Sequence, residues 1–129
     1  MRVIALDYGS ARTGVAISDP TGTIATPHPA VLRAGSRKGR RELLRLIADM
    51  GADRVLVGLP VGLQGHDTDQ TRECRAFAAT LADALGPDVP VELYDERFTT
   101  RMAQQSGGVE SDEDSRAAAI LLEEWLRHR

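Results

Sequence analysis

The sequence predicts an α/β chain built on a mixed five-stranded sheet with helices on both faces. Three observations predict it. Two short apolar runs, Val3–Asp7 and Thr13–Ser18, flank a Tyr8-Gly9-Ser10 break and read as the strands of a hairpin. Arg54–Pro60 (Arg-Val-Leu-Val-Gly-Leu-Pro) is apolar without alternation, as a strand buried on both faces is in a parallel sheet. From Leu43 onward, stretches of helical periodicity alternate with strand-like runs, the order that places helices over a mixed sheet.

The elements follow in order. Asp19-Pro20-Thr21-Gly22 turns the chain after the hairpin, and Ile24–Leu32 makes a third strand whose Pro27 and Pro29 lack ladder donors, so it belongs at an edge. Arg33–Arg41 carries Arg33, Arg37, Lys38, Arg40 and Arg41 with two glycines and reads as a basic loop. It feeds an amphipathic helix with Leu43, Leu44, Leu46, Ile47 and Met50 at helical spacing. After the Arg54–Pro60 strand, Val61–Asp67 reads as a flexible loop. A helix from about Thr68 to Leu85 presents Cys74, Phe77, Ala78, Leu81 and Leu85 on one face and stops at Gly86-Pro87. Val89–Glu96 is the last strand. Thr99 or Thr100 caps a short helix to about Gln105, Ser106-Gly107-Gly108 breaks it, and a final helix covers Asp112 to about His128. The predicted order is β-β-β-α-β-α-β-α-α, in a single domain over 1–129.

Composition narrows the function. The chain has 129 residues, 42% hydrophobic and 27% charged, and its net charge of −3 lacks the basic excess of a simple nucleic-acid binder. A polyanion partner then needs a local basic patch or a metal ion. Aromatics make up 4% of the residues, too few for a base-stacking platform. The lone Cys74 suits a reducing compartment, and the N-terminal apolar run meets Asp7 too soon for a signal segment; a cytoplasmic protein away from membranes is expected.

In an open α/β sheet the ligand site lies beyond the carboxyl ends of the parallel strands, here Asp7, Pro60 and Glu96. Asp7 ends an apolar strand, where an Asx turn onto Gly9 or Ser10 is its ordinary alternative role. Asp95-Glu96-Arg97 ends another strand, and alternation allows only one of its two acids to share a face with a given neighbour. Asp114 stands in phase with Ala117, Ala118, Leu121, Leu122 and Trp125, at offsets of three, four, seven, eight and eleven, so it belongs to the inward stripe of the last helix. Capping of that helix with Ser111 is its ordinary alternative. Acids gathered from two strand ends and a helix need a cation between them, and without Cys/His clustering Mg2+ or Mn2+ is the fitting ion. Arg12 and the basic residues Arg37, Lys38 and Arg40 are candidates for holding substrate phosphates, a surface ion pair being an equally ordinary role for Arg12. His28, His66 and His128 read as turn or surface residues, phosphate contact or proton transfer being the alternative for His66 alone, and Trp125 and Cys74 read as packing.

Four segments carry a resemblance. Asp7-Tyr8-Gly9-Ser10-Ala11-Arg12-Thr13-Gly14-Val15-Ala16 with Ser18-Asp19, then Val57-Gly58-Leu59-Pro60, Asp95-Glu96-Arg97-Phe98-Thr99-Thr100 and Asp114-Ser115-Arg116-Ala117-Ala118 resemble, in order and across the whole chain, the YqgF (RuvX) family. That resemblance implies a ribonuclease H-like fold related to RuvC resolvases. It also implies a metal-dependent endonuclease, with Asp7, Glu96 and Asp114 as catalytic metal ligands for Mg2+ (or Mn2+). The implied substrate is structured RNA, specifically the 5′ end of pre-16S rRNA in ribosomal precursor particles, with branched four-way DNA as the alternative. Resolution of a junction requires a homodimer, whereas RNA processing is open to a monomer. The central strand departs from RuvC-type enzymes by ending in Gly58-Leu59-Pro60 where they carry a carboxylate, and the resemblance shifts that role to Glu96. An Asp-x-Gly-Ser loop also occurs in sugar-kinase and actin-like ATPases, but those need two duplicated domains and 129 residues supply one.

Overall fold

A computed structural model describes residues 1–60, 68–95 and 110–129, with the backbone alone at 110–113. Its elements are β1 (Val3–Asp7), β2 (Arg12–Ser18), β3 (Ala25–Leu32), α1 (Arg37–Asp49), β4 (Arg54–Leu59), α2 (Asp69–Leu85), β5 (Val91–Asp95) and α3 (Glu110–His128). The sheet order is β3-β2-β1-β4-β5. β1 pairs antiparallel with β2 and parallel with β4, and the β4–α2–β5 crossover adds a second parallel pair. The mixed sheet expected from the sequence is present. The loop expected over Val61–Asp67 and the short helix expected from Thr99 or Thr100 to Gln105 lie outside the described residues.

The period of two along each strand divides the core between the two faces. Ile4, Leu6, Val15, Val55 and Val57 pack beneath α1 and α2 with Leu43, Ile47, Phe77 and Leu81. Val3, Ala5, Ala16 and Leu56 pack beneath α3 with Ala118, Leu121, Leu122 and Trp125. Both faces of β1 and β4 are therefore dry, which is why their sequences show no polar alternation. β3 is the edge strand, as Pro27 and Pro29 require.

The helix termini differ instructively from expectation. α1 begins at Arg37, so most of the basic run is helical and not loop. Ser36 caps it, its hydroxyl accepting from the Gly39 amide at 3.0 Å and donating to the Arg33 carbonyl at 2.7 Å. Gly39, which suggested a loop, is a site of close approach: an added Cβ would lie 2.0 Å from the Arg33 carbonyl oxygen. α2 starts where predicted, with a capping box between Thr68 and Thr71. The Thr71 hydroxyl also donates to the carbonyl of Pro60, fixing the start of α2 to the end of β4. α3 begins at Glu110, so Ser111 lies inside it and is not its flanking cap.

Two motif residues have structural tasks far from the expected site. Ser18 is buried and accepts from the Val3 amide at 2.7 Å. Asp19 organises the β2–β3 turn by accepting from the amides of Thr23 at 2.7 Å and Ile24 at 2.8 Å, and these bonds hold its carboxyl well below the usual carboxylate range.

Candidate active site

Asp7 closes β1 with the parity of Val3 and Ala5, so its half-buried side chain belongs to the α3 face. Across the hairpin it stands opposite Gly14. A Cβ built on Gly14 would lie 1.9 Å from the carbonyl oxygen of Asp114 and 2.8 Å from the Ser115 nitrogen. Glycine thus lets the backbone of α3 rest on the sheet at this point. One residue brings two acids, 107 positions apart in sequence, to one end and one face.

Ser115 locks this contact. It is 4% exposed, accepts from the Val15 amide at 3.3 Å and donates to the His28 carbonyl at 2.6 Å, tying the start of α3 to β2 and β3 together. Ser115→Ala would leave both backbone groups without that partner. It is expected to destabilise the protein by about 2 kcal/mol, or a melting temperature lowered by about 8 °C for a chain of this size; calorimetry checks the shift.

Arg12, at the start of β2, places Nε 3.4 Å from Asp114 Oδ2, both side chains being about one-third exposed. The strand beside β1 offers no acid here. Gly58 has the parity of Leu56, toward α3, and pairs with Tyr94. On β5, Tyr94 packs on the α3 side and Glu92 accepts from Trp125 Nε1 at 2.7 Å. Asp95 has the opposite parity, that of Val91, which joins the α1/α2 core. Its side chain is therefore assigned to the face away from Asp7 and Asp114. Glu96 lies outside the described residues, as does His66.

Of the expected ligands, Asp7 and Asp114 come from neighbouring backbone positions at one end and on one face of the sheet, and among the described residues no cluster of three or more potential metal ligands forms. The pair present fits a hard divalent ion, because both donors are carboxylates, the oxygen ligands such an ion prefers.

The basic residues divide between the two faces of the sheet. Arg37, Lys38 and Arg40 occupy the first turn of α1, at the same end as Asp7, since the Arg33 amide donates to the carbonyl of Ala11 in the β1–β2 turn at 2.9 Å. However, α1 packs on the face opposite α3. Arg37 and Lys38 are exposed, whereas Arg40 lines a separate cavity of about 240 Å³ with Tyr8 and Phe77, whose rings stack at 4.3 Å. Burial, with Glu73 and Cys74 nearby, pushes the Tyr8 hydroxyl upward from its ordinary value. Arg12 is thus the expected phosphate ligand nearest the acids. Ser115 and Arg116 are additions that sequence reasoning passed over; the available signal was a polar residue opening the apolar stripe of the last helix.

Cys74 and Trp125 are packing residues, as expected. Cys74 is buried and its thiol donates to the Gly58 carbonyl at 3.1 Å. His128 faces Glu124 at 3.6 Å on the surface. No helix among the described residues is long and apolar enough to cross a membrane.

This sheet order, with α1 and α2 on one face and α3 on the other, places the chain in the ribonuclease H-like fold class. Thermus thermophilus RuvC, solved in complex with a Holliday junction substrate, superposes with a TM-score of 0.62 at 15% identity, covering 99% of this chain and 96% of that one. The fowlpox virus resolvase, solved with Holliday junction DNA, gives 0.54 at 12% identity, covering 98% and 93%. Within that class the chain belongs to the RuvX family, whose sequence profile, described as "RuvX: Holliday junction resolvase", matches residues 1–128. A relative from Maridesulfovibrio salexigens, named "Putative pre-16S rRNA nuclease", is 37% identical over 98% of both chains. A relative of the same name from Mycolicibacterium paratuberculosis is 41% identical over 99% of this chain and 81% of its own.

Proposed function

We propose that this chain is a divalent-metal-dependent endonuclease that hydrolyses phosphodiester bonds and processes the 5′ end of pre-16S rRNA in the cytoplasm, acting as a single domain. The observation that supports the reading is the close seating of the Asp114 backbone on Gly14, the strand partner of Asp7. Family membership and the names of the relatives support the nuclease activity and the RNA substrate.

In this reading Asp7, Asp114 and Glu96 hold Mg2+ or Mn2+. Glu96 is preferred to Asp95 because Asp95 has the parity of the α1/α2 face and the family resemblance assigns the role to its neighbour. When bound, the ion supplies Lewis-acid stabilisation and an activated water at the phosphorus. The chain's own residues then orient the substrate. Arg12 holds the Asp114 carboxylate and presents its guanidinium to a phosphate oxygen, a geometry its planar fork suits. Arg37 and Lys38, across the sheet edge, hold backbone phosphates further from the cut.

The test is cleavage of a labelled pre-16S 5′ leader RNA by purified protein in Mg2+, with chelator as control. Site-specific cutting that stops on chelation is expected; uncut RNA in Mg2+ overturns the proposal. The second reading, resolution of four-way DNA, is favoured by the family's description and by the fold shared with junction resolvases. It requires two active sites on a two-fold axis. A four-way junction in the same assay, with sedimentation to distinguish monomer from homodimer, separates the two substrates.

A further inference from the structure

A groove of about 770 Å³ runs beside the acid pair, between β3 and the start of α3. Arg12 stands at its head, where it also contacts Asp114. Arg116 lines the α3 wall, His28 and Ala30 line the β3 wall, and Leu32 contributes an apolar side chain that is 63% exposed. Among the described residues, no acidic side chain lines it. In a chain of net charge −3, two arginines around one groove with no acidic lining form a local cationic feature. The walls are held rigidly to each other, because Ser115 Oγ on α3 donates to the His28 carbonyl on β3.

We propose that this groove is the track for the substrate RNA strand as it leaves the cleavage site, with Arg116 a phosphate-binding residue and His28 a second contact. The proposal rests on the nuclease reading above for the direction of the strand. Three features favour a polyanion. The groove is continuous with the acid pair through Arg12, so a phosphodiester held between the acids leads directly into it. Arg12 at its head and Arg116 on the α3 wall are two separate cationic contacts, with the His28 imidazole a polar group on the β3 wall, matching a backbone of repeated charges better than a single anion. Strand addition from another protein is disfavoured, since Pro27 and Pro29 on the same edge strand withhold backbone donors. The groove lies on the α3 face with Asp7 and Asp114, whereas Arg37, Lys38 and Arg40 belong to α1 on the other. A strand engaging both sets must cross the sheet edge at the acids.

Binding can be read without cleavage. Fluorescence anisotropy of a labelled RNA hairpin with a single-stranded flank is measured in chelator across a potassium chloride series. Arg116→Gln is expected to weaken binding about fivefold or more at low salt. It should also lower the slope of log affinity against log salt by about 0.7 to 0.9, the loss of one phosphate contact. Arg116→Lys should restore most of the slope. Ala30→Glu, which puts an anion into the groove from the other wall, should weaken binding comparably. Wild-type affinity and slope in both Arg116→Gln and Ala30→Glu, with unchanged melting temperatures, overturn the proposal. Binding confined to a four-way DNA junction overturns RNA as the occupant. If the variants lose RNA binding but the wild type fails to cut in Mg2+, the nuclease reading falls and the groove stands. If the wild type cuts and the variants bind RNA unchanged, the groove falls and the nuclease reading stands.

Discussion

Asp7→Asn is expected to lower metal-dependent cleavage by about 10³-fold or more, equivalent to about 4 kcal/mol of transition-state stabilisation. The substitution preserves shape at a half-buried strand end and removes the charge that a hard cation requires. Asp7 lies outside both apolar clusters, so the substitution leaves the packing of the core intact. Two measurements distinguish loss of the ion from loss of the fold. The wild-type protein should melt higher as Mg2+ is added, by mass action on the native state, while Asp7→Asn should show little of that rise. Its melting temperature in chelator should match wild type. Cleavage by Asp7→Asn at the wild-type rate would remove the acid pair from the mechanism.

The legible parts of the chain were those fixed by local chemistry. Apolar runs and turn residues located β1 and β2, the prolines of β3 predicted its edge position, and the inward stripe from Ala117 to Trp125 was read correctly by counting turns. Asp114, half-buried, heads that stripe. What escaped depended on contacts between distant segments. Gly39 suggested a loop, yet it sits inside α1 because the Arg33 carbonyl occupies the space a side chain would need. Arg33 itself has a positive φ of 46°, which a propensity argument does not foresee for arginine. Ser115 reaches Val15 and His28, partners 100 and 87 residues away, so no local spacing reveals its role. The division of the basic residues between two faces likewise depends on which side of the sheet α1 covers. Arg12 and the run at the start of α1, grouped by charge as phosphate ligands, therefore lie on opposite faces.

Gly14→Ala should be the most damaging single-methyl change at the site. Gly14 is not among the glycines with positive φ, which among the described residues are Gly22, Gly51 and Gly86, so alanine faces no conformational penalty there. The obstacle is steric. Its Cβ would meet the Asp114 carbonyl oxygen at 1.9 Å and the carbonyl carbon at 2.2 Å, and backbone atoms in a locked helix cannot rotate aside. α3 must lift from the sheet or the β1–β2 hairpin must bend, disturbing Ser115 and the packing of Ala118 on Ala16. The expected cost is about 3 kcal/mol, lowering the melting temperature by about 12 °C. Gly51→Ala supplies the opposite control. Gly51 has a φ of +62° with nothing within 4 Å of an added Cβ, so its penalty is conformational alone, about 1 kcal/mol. Activity separates the two further. Gly51 lies after α1, away from the acids, and Gly51→Ala should cut normally below its melting temperature. Gly14→Ala should lose about 10²-fold even where it remains folded, because a shift of about 1 Å between Asp7 and Asp114 spoils their common geometry. If Gly14→Ala melts and cuts like Gly51→Ala, the close seating of α3 does not position the acids, and the pair must be brought together by other means.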